Sequence, residues 1–285
     1  MTFGRIVLLW VLLAIVACSA PAADPVSAGA DIKIATWNVF FRNTNLTEVV
    51  KVVREIRPDV LALQEITPRI EAELTAALST ELPYAQFRSE HGSGGCGVLS
   101  RWPLSGVLYL SPTGGVRGAL MGTVTVPMGD SASNSVEFAV VHLTTPRVGR
   151  MKSLVSTLGV FQQSSEAQLE EMRRIHGAMR RTGPAVILGD FNSFSFSSAQ
   201  TFLKEDHWQD SLLSVDPEAD RRITWKGSEA TGKLGGRIDY IFHTTQLRTI
   251  ESAVIAKGSS DHFPVWARLR LFPATNTPAS PRQAR

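Results

Sequence analysis

Short apolar runs with strand-like character alternate with amphipathic stretches throughout residues 31–271, which excludes disorder, coiled coils and collagen-like folds. Residues 32–38 alternate apolar and polar side chains as a strand does, whereas apolar positions in residues 49–56 recur at helical spacing. Residues 84–142 contain strand-like runs only. No linker or internal repeat interrupts the segment. The pattern predicts one domain in which two packed sheets are flanked by helices.

Capping residues mark the start of two predicted helices. Asn45 followed by Glu48 has the pattern of a helix start, and Thr67 before Pro68 predicts a helix over residues 68–79. Apolar periodicity places the remaining elements. They are helices at 165–181 and 198–205 and strands at 59–64, 185–188, 237–243, 251–256 and 265–271.

The N-terminal residues predict an export signal. Arg5 precedes an unbroken apolar run over residues 6–17, which is shorter than the ~20 residues of a membrane span. The run ends in Ile-Val-Ala-Cys and resembles the bacterial lipobox, in which the cysteine carries a lipid anchor. We therefore predict a signal peptide over 1–18, lipidation of Cys18 and a linker over 19–30. Cleavage of a plain secretory signal at the small residues that follow is the alternative.

Both alternatives predict export. The lipoprotein alternative also predicts anchoring in the membrane at the cell envelope, in the outer membrane or the periplasm. The folded domain is predicted over 31–272, and residues 273–285, rich in Pro, Thr, Ala and Ser, are predicted to be a disordered tail. Cys96 is the only cysteine of the domain, so its own hydrophobic core must stabilise it without a disulfide. We expect the protein to be a monomer.

The net charge is concentrated at the chain ends. The chain has 29 Lys and Arg residues and 26 Asp and Glu residues, which gives a formal net charge of +3. Without residues 1–29 and 274–285, 26 basic and 25 acidic side chains remain. A nearly neutral domain provides little electrostatic attraction for a polyanion. The overall charge is therefore no indication of a nucleic-acid partner.

Polar side chains stand where the predicted strands end, which is where a rigid scaffold commonly places a functional site. Each alone is more often a turn, capping or structural residue. Together they would converge on one edge of the sheets, and such an oxygen-rich group suits Mg²⁺ or Mn²⁺. The sequence has no zinc-type Cys/His spacing, no Gly-Lys-Ser/Thr phosphate loop and no Gly-x-Ser-x-Gly elbow. The residues are Asn38, Glu65, His142, Asp190, Asn192, Asp239, Asp261 and His262.

Ordered motifs around these residues resemble the endonuclease/exonuclease/phosphatase superfamily, which has the deoxyribonuclease-I-like fold. Gly-Asp-Phe-Asn (189–192) and Ser-Asp-His (260–262) are the most specific motifs. The others are Thr-Trp-Asn-Val (36–39), Pro-Asp-Val-Leu-Ala-Leu-Gln-Glu (58–65), Gly-Val-Leu-Ser-Arg-Trp-Pro-Leu (97–104), His-Leu (142–143) and Arg-Ile-Asp-Tyr-Ile-Phe (237–242). The resemblance covers nearly all of 31–271. It implies an α/β (α+β) fold, a four-layer α/β/β/α sandwich with two mainly antiparallel sheets.

The resemblance also implies hydrolysis of a phosphoester by in-line attack of water. Glu65, Asn38 and Asp261 would hold a divalent cation, Mg²⁺ or alternatively Mn²⁺, against a phosphate oxygen. His262 would act as the general base or as a phosphate ligand, and Asp239 would hydrogen-bond to its ring and fix the tautomer. The implied cofactor is therefore a hard divalent cation bound by oxygen ligands.

The resemblance implies roles for residues of the other motifs as well. Asp190 would position or deprotonate the attacking water, and Asn192 would hydrogen-bond the phosphate. His142 would donate a proton or a hydrogen bond to the phosphate or the leaving group. Arg117 is similar to an arginine that related phosphoesterases place near the substrate phosphate, and a surface arginine at a strand start is the alternative. Whether His262 or Asp190 is the base stays open.

These roles predict an enzyme, most simply a Mg²⁺-dependent phosphodiesterase or nuclease. The nearly neutral domain keeps lipid phosphoesterases of the sphingomyelinase or phosphoinositide-phosphatase kind as the alternative. A non-catalytic binding module is a third hypothesis, which the presence of every catalytic residue type disfavours. Phe194 and Phe196 follow Asn192, and exposed rings there would stack on bases or contact lipid. The alternative is that these rings pack against neighbouring loops and have only a structural role.

Overall fold

The computed structural model describes residues 29–112, 117–128, 133–146, 154–227 and 235–272, without the side chains of 154–161. The predicted signal peptide, the lipidation site Cys18, most of the predicted linker and the predicted tail lie outside these residues, so these assignments stay predictions. None of the described helices is both long and apolar enough to cross a membrane.

Twelve strands and four α-helices form within the described ranges. In chain order they are β1 (Ala30–Asn38), α1 (Leu46–Ile56), β2 (Val60–Gln64), α2 (Pro68–Leu78), β3 (Tyr84–Arg88), β4 (Cys96–Ser100), β5 (Leu104–Leu110), β6 (Ala119–Pro127), β7 (Ser133–His142), α3 (Leu154–Ala178), β8 (Ala185–Asp190), α4 (Ser198–Glu205), β9 (Gln209–Asp210), β10 (Asp239–His243), β11 (Leu247–Val254) and β12 (Val265–Leu271).

The strands form two six-stranded sheets. The first has the order β11-β12-β1-β2-β4-β3, and the second has the order β5-β6-β7-β8-β10-β9. In each sheet one central pair is parallel, β1 with β2 and β7 with β8, and the other pairs are antiparallel. The prediction of two mainly antiparallel sheets is confirmed.

The two sheets pack face to face, and helices cover their outer surfaces. In β1, Ile32 and Ile34 face the other sheet, whereas Trp37 faces α1 and α2. This alternation follows from the two-residue period of a strand. The helices α3 and α4 cover the second sheet through apolar side chains such as Met172 and Leu203. The layers therefore run helix, sheet, sheet, helix, and the predicted four-layer α/β/β/α sandwich is confirmed.

The predicted start signals of α1 and α2 are confirmed. The Asn45 side chain accepts a hydrogen bond from the Glu48 amide at 3.3 Å. The Thr67 hydroxyl accepts one from the Ile70 amide at 3.3 Å, and Pro68 occupies the first turn. Each cap satisfies an amide that has no partner within the helix, which fixes where the helix begins.

The predicted boundaries of the long helix are wrong. The helix α3 begins at Leu154 rather than at 165, and it ends at Ala178 rather than at 181. Residues 154–164 contain no charged side chain, so the polar face that marks an amphipathic helix starts only at Glu166. The strand β9, which pairs with β10, has two residues and is too short to produce a periodic pattern.

Gly189 allows β7 and β8 to approach closely just before the end of β8. Its φ is +148°, and a Cβ there would lie 1.9 Å from the carbonyl oxygen of Val141. We expect Gly189→Ala to lower the free energy of unfolding by more than ~2 kcal/mol, as measured by urea denaturation. Gly183→Ala is the control, because a Cβ at Gly183 meets nothing within 4 Å. A Gly189→Ala protein as stable as wild type would contradict this account of the strand contact.

Candidate active site

Three ionisable side chains stand side by side on neighbouring strands of the second sheet. His142 ends β7 opposite Asp190, which ends β8, and Asp239 begins β10 on the other side of Asp190. Because side chains alternate with a period of two, these three share the inter-sheet face with Leu188 and Ile241. Strand register therefore places all three at one edge of the sandwich, as the positions of these residues at strand ends predict.

The first sheet supplies residues that face His142, Asp190 and Asp239. Asn38 ends β1, and Glu65 follows β2 with a left-handed backbone conformation at φ +63°. The loop before β12 carries His262 and is fastened to β1. Trp37 Nε1 donates to the His262 carbonyl at 3.0 Å, and the Ser260 hydroxyl donates to the Asn38 carbonyl at 2.7 Å. These bonds hold His262 over the ends of the strands.

Polar groups of both sheets meet at Oδ2 of Asp190. Asn38 Nδ2 donates to this oxygen at 3.0 Å and to Glu65 Oε1 at 3.2 Å. His142 Nε2 lies 3.5 Å and His262 Nε2 lies 3.7 Å from the same oxygen of Asp190. The structure thus brings three predicted site residues to the Asp190 carboxylate, and Asn38 links Glu65 to them.

Asp239 holds the ring of His262. Its Oδ2 lies 2.9 Å from His262 Nδ1, and both side chains are buried. The Thr224 hydroxyl accepts a hydrogen bond from the Asp239 amide at 3.1 Å and so fixes the start of β10. The predicted pairing of Asp239 with His262 is confirmed, and the catalytic roles of the two residues stay predictions.

Arg117 is half-buried and contacts His142. Its Nη1 lies 3.0 Å from His142 Nδ1, and its Nη2 lies 3.5 Å from the Thr145 hydroxyl. A guanidinium group only donates hydrogen bonds, so His142 Nδ1 accepts one and the proton of the neutral ring is on Nε2. Burial and the Arg117 charge hold the pKa of His142 well below its usual value. His142 therefore directs an N–H donor toward Asp190.

Asn192 and Asp261 flank this centre with different contacts. The backbone amide of Asn192 donates to Asp190 Oδ1 at 2.8 Å, while its side-chain Nδ2 donates to the Leu143 carbonyl at 3.0 Å. The side chain predicted to contact phosphate thus already has a protein partner. Asp261 is half-buried, and its charge adds to the burial that raises the pKa of Glu65.

Asp190 and His262 are both buried, and each changes the pKa of the other. Burial raises the pKa of Asp190 to about 7, and the Asp239 charge contributes to this rise while His262 opposes it. Burial lowers the pKa of His262, but the Asp239 and Asp190 carboxylates outweigh burial and raise it to about 10. At neutral pH His262 is therefore an imidazolium, and Asp190 is the group that gains or loses a proton.

We expect His262 to stay protonated well above neutral pH in the protein without added metal. An NMR titration of the histidine rings measures its pKa, and Asp239→Asn should lower it by removing the nearest carboxylate. Because the folded-state pKa exceeds the unfolded value of 6.5, the contribution of His262 to stability is fully present below that pH. The contribution is lost as the pH rises toward 10. Titration of wild-type His262 near pH 6.5 would contradict this assignment.

Asp190, Asp239 and His262 form the cluster of potential metal ligands found among the described residues, with ligand atoms within 4.8 Å of one another. Both ring nitrogens of His262 face carboxylates, and the protonated ring is a hydrogen-bond donor rather than a metal ligand. Oδ1 of Asp239 is buried and has no hydrogen-bond partner in the described part of the chain. This oxygen is the atom of the cluster that is available to a cation.

Glu65 has no Lys or Arg partner in the described ranges. Its hydrogen bonds come from neutral donors, Asn38 Nδ2 at 3.2 Å and the Phe41 amide at 3.0 Å. Asp261 adds a further negative charge nearby. A hard divalent cation would supply the missing positive charge, and carboxylate and amide oxygens are its preferred ligands. The donor set therefore fits Mg²⁺ or Mn²⁺.

Some residues that support the site have no marker in the sequence pattern. The ring of Trp225 lies 6.5 Å from that of His262, centroid to centroid. Gln168 of α3 donates to the carbonyls of Thr144 at 2.8 Å and Asn192 at 3.1 Å. Trp225 lies outside the predicted elements, and the partners of Gln168 are distant along the chain, so no local signal distinguishes either residue.

A model of the Endonuclease/Exonuclease/phosphatase family matches residues 35–262. The chain belongs to this family. The matched range contains every residue of the candidate active site, and the predicted family resemblance is confirmed. Members of the endonuclease/exonuclease/phosphatase family are hydrolases of phosphoester bonds. No curated protein sequence matches the chain.

Solved structures of similar fold include three informative examples. A family protein from Beutenbergia cavernae is 24% identical, with a TM-score of 0.63 and coverage of 87% of this chain and 73% of that one. The 3′ phosphatase NExo from Neisseria, bound to a product DNA hairpin, is 22% identical, with a TM-score of 0.59 and coverage of 83% and 98%. An AP endonuclease from Archaeoglobus fulgidus is 19% identical, with a TM-score of 0.61 and coverage of 83% and 98%.

Proposed function

We propose that this family member is a Mg²⁺-dependent phosphodiesterase of the nuclease type, with Mn²⁺ as an alternative metal. The observation that carries the proposal is the convergence of Asn38, His142 and His262 on Oδ2 of Asp190. The Neisseria protein was solved with a DNA product, and the Archaeoglobus fulgidus protein is an AP endonuclease. These similarities support a nucleic-acid substrate over a lipid head group.

Glu65, Asn38 and Asp261 are the residues that would hold the cation. When bound, the cation supplies positive charge to a phosphate oxygen and to the leaving oxygen. The proposal is supported by the burial of Glu65 without a cationic partner in the described ranges, which raises the pKa of its carboxyl group. We place the cation here rather than on His262 because the His262 ring is already paired with two carboxylates.

Asp190 is the general base in this proposal. A pKa of about 7 allows it to take a proton from the attacking water near neutral pH, and its two oxygens are oriented by Asn38 and the Asn192 amide. His262 is an imidazolium and donates its Nε2 proton in a hydrogen bond to a phosphate oxygen. Asp239 keeps the His262 ring in place. Of the two candidate bases, the electrostatics favour Asp190.

His142 and Arg117 act on the phosphate in this proposal. The Nε2–H group of His142 donates a hydrogen bond to the phosphate or to the leaving oxygen, because Arg117 occupies its other ring nitrogen. The Arg117 guanidinium adds a positive charge beside the phosphate. Asn192 contributes through its backbone contact with Asp190, and a second side-chain N–H is available for phosphate.

We further propose that the protein is exported and acts as a monomer held at the cell envelope by a lipid on Cys18. The apolar run over residues 6–17 and the cysteine directly after it support this location. Export places the enzyme among phosphoesters outside the cytoplasm.

A panel of substrates tests the proposed function. The full-length chain is incubated with plasmid DNA, RNA, sphingomyelin and a phosphoinositide, each with Mg²⁺ at two salt concentrations. We expect cleavage of nucleic acid, with binding that weakens as salt increases. Hydrolysis of a lipid alone, dependent on its presentation in vesicles, would favour a lipid phosphoesterase. No hydrolysis of any substrate, with intact Mg²⁺ binding, would favour a non-catalytic module.

A further inference from the structure

The loop that follows β8 has an inverted pattern of exposure. Ser193 and Ser195 are buried, whereas Phe194 is 39% exposed and Phe196 is 81% exposed. The two rings are stacked on each other, with centroids 5.8 Å apart and an interplanar angle of 21°. Serines normally face water and phenylalanines the core, so the opposite arrangement needs a cause. Of the two alternatives for these rings, exposure and packing against neighbouring loops, Phe196 corresponds to the first.

Hydrogen bonds hold the serines inward and so present the phenylalanines outward. The Ser193 hydroxyl bonds to Gln200 Oε1 at 3.2 Å, and the Ser195 hydroxyl donates to Asp220 Oδ2 at 2.7 Å. Lys204 Nζ donates to the Ser195 carbonyl at 2.9 Å. These contacts fix the loop from two separate segments, α4 and the segment that contains Asp220. The exposed rings are therefore held in position by the surrounding fold.

Phe194 is also fixed by the loop that precedes β10. A Cβ built at Gly236 would lie 2.6 Å from the Phe194 ring, so the ring packs directly on the glycine backbone. Phe196 stacks on Phe194 and leaves its outer part open to solvent. The two rings therefore form one continuous aromatic surface rather than two separate exposed side chains.

This aromatic surface lines a groove that shares Asn192 with the candidate active site. The groove has a volume of about 720 Å³ and is bounded by Asn192, Gln168, Pro146 and the two phenylalanines. The backbone amide of Asn192 also donates to Asp190 Oδ1, so one residue of the groove lining directly adjoins the centre of the site. The other residues that line it are serines and a glutamine, and none of the described lining residues is charged.

We propose that Phe194 and Phe196 bind the nucleobase of a nucleotide whose phosphate occupies the active site. The inference rests on the proposed phosphodiesterase function and specifies its substrate as an unpaired nucleotide. A base is flat and uncharged, it stacks on aromatic faces, and its edges hydrogen-bond to hydroxyl and amide groups. The described lining of the groove offers stacked aromatic rings and no charged side chain.

A lipid chain fits the groove less well. Acyl chains are bound by continuous aliphatic surfaces, and the groove has no Leu, Ile, Val or Met among its described lining residues. Most polar side chains of the described lining already bond within the protein, as Ser165 does to Ser198 and Ser193 does to Gln200. The two aromatic rings are therefore the part of the described lining that favours a flat base over an acyl chain.

Two esters with the same leaving group test the proposal. Rates of p-nitrophenol release are measured for the p-nitrophenyl ester of thymidine 5′-phosphate and for p-nitrophenyl methyl phosphate, with Mg²⁺ and the full-length chain. We expect wild type to prefer the thymidine ester in kcat/KM. Phe196→Ala should reduce this preference by about 10-fold, mainly through KM, because stacking of one base contributes that much. Phe196→Trp should retain the preference.

A matched control and two outcomes that would contradict the inference complete the test. Leu108→Ala removes another exposed apolar side chain, 52% exposed on β5, and should keep the wild-type preference. An unchanged preference in both Phe196→Ala and Phe194→Ala would overturn the inference. If Phe196→Ala and Phe194→Ala lose activity on sphingomyelin vesicles but keep the preference for the thymidine ester, the inference is also overturned, in favour of a lipid substrate.

The inference and the proposed function fail in different ways. A wild-type protein that hydrolyses both esters with Mg²⁺ but shows no thymidine preference would contradict the base-binding surface alone. A wild-type protein that hydrolyses neither ester nor any substrate of the panel would contradict the proposed function, and the inference with it.

Discussion

Asp190→Asn is expected to lower kcat for a phosphodiester by about 10³-fold, a loss typical of removing a general base. The substitution keeps the shape of the side chain and removes the group that takes a proton near pH 7, and its single oxygen accepts from either Asn38 Nδ2 or the Asn192 amide. Steady-state kinetics with saturating Mg²⁺ measures the effect. A kcat within a few-fold of wild type would mean that Asp190 is not the base.

The stability of this variant separates catalysis from folding. Burial raises the pKa of Asp190, so its charged form is unfavourable in the folded protein, and we expect Asp190→Asn to keep the wild-type melting temperature or to raise it. Asp206→Asn is the matched control. Asp206 pairs with His176 and Arg181 outside the site, so this variant should keep the wild-type kcat.

Glu65→Gln is expected to raise the Mg²⁺ concentration for half-maximal activity by about 10- to 100-fold. The proposed metal site would lose a negatively charged ligand that has no other cationic partner among the described residues, while the hydrogen bond with Asn38 could still form. The initial rate is measured as a function of Mg²⁺, and calorimetry measures Mg²⁺ binding directly. Unchanged Mg²⁺ dependence would place the cation elsewhere, for example on Oδ1 of Asp239.

Glu73→Gln is the control for the metal experiment. Glu73 is exposed on α2, where it pairs with Arg69 at 2.9 Å, so its replacement removes the same charge away from the site. We expect its Mg²⁺ dependence to equal that of wild type. Equal shifts in Glu65→Gln and Glu73→Gln would mean that the effect comes from net charge rather than from metal coordination.

The centre of the site could be predicted from the sequence because its residues end strands. In β7 and β8 the buried residues that face the other sheet, such as Val140 and Leu188, are apolar up to His142 and Asp190, and in β10 Ile241 follows Asp239 on that face. The two-residue period of a strand fixes the sheet face on which each side chain lies, and its position at the end of the strand fixes the edge of the sandwich. Local pattern therefore contains most of the information needed to bring these side chains together.

Contacts between distant segments could not be predicted in this way. Arg237 is predicted to begin a strand, but the strand begins at Asp239, and Arg237 is 2% exposed with ion pairs to Asp210 and Asp220. The contact of Arg117 with His142 likewise depends on the register of two strands. The partners of Arg237 and Arg117 are not recognisable from the residues next to them in sequence, because tertiary packing brings these side chains together.

The substrate is the part of the function that the fold determines least. One fold hosts different functions, and the site built on it determines which substrate fits. In this chain we propose that the loop that carries Phe194 and Phe196 makes this selection, through contact with a base. Its sequence, alternating serine and phenylalanine, does not show by itself which residues face inward.

The most direct test of the central claim is the rate of p-nitrophenol release from the thymidine ester, compared between wild type and Asp190→Asn with Mg²⁺ and after EDTA. We predict hydrolysis by wild type with Mg²⁺, loss of activity in EDTA, recovery when Mg²⁺ is restored, and almost no activity of Asp190→Asn in any condition. Equal rates for the two proteins, or a wild-type rate that EDTA leaves unchanged, would contradict a metal-dependent phosphodiesterase centred on Asp190.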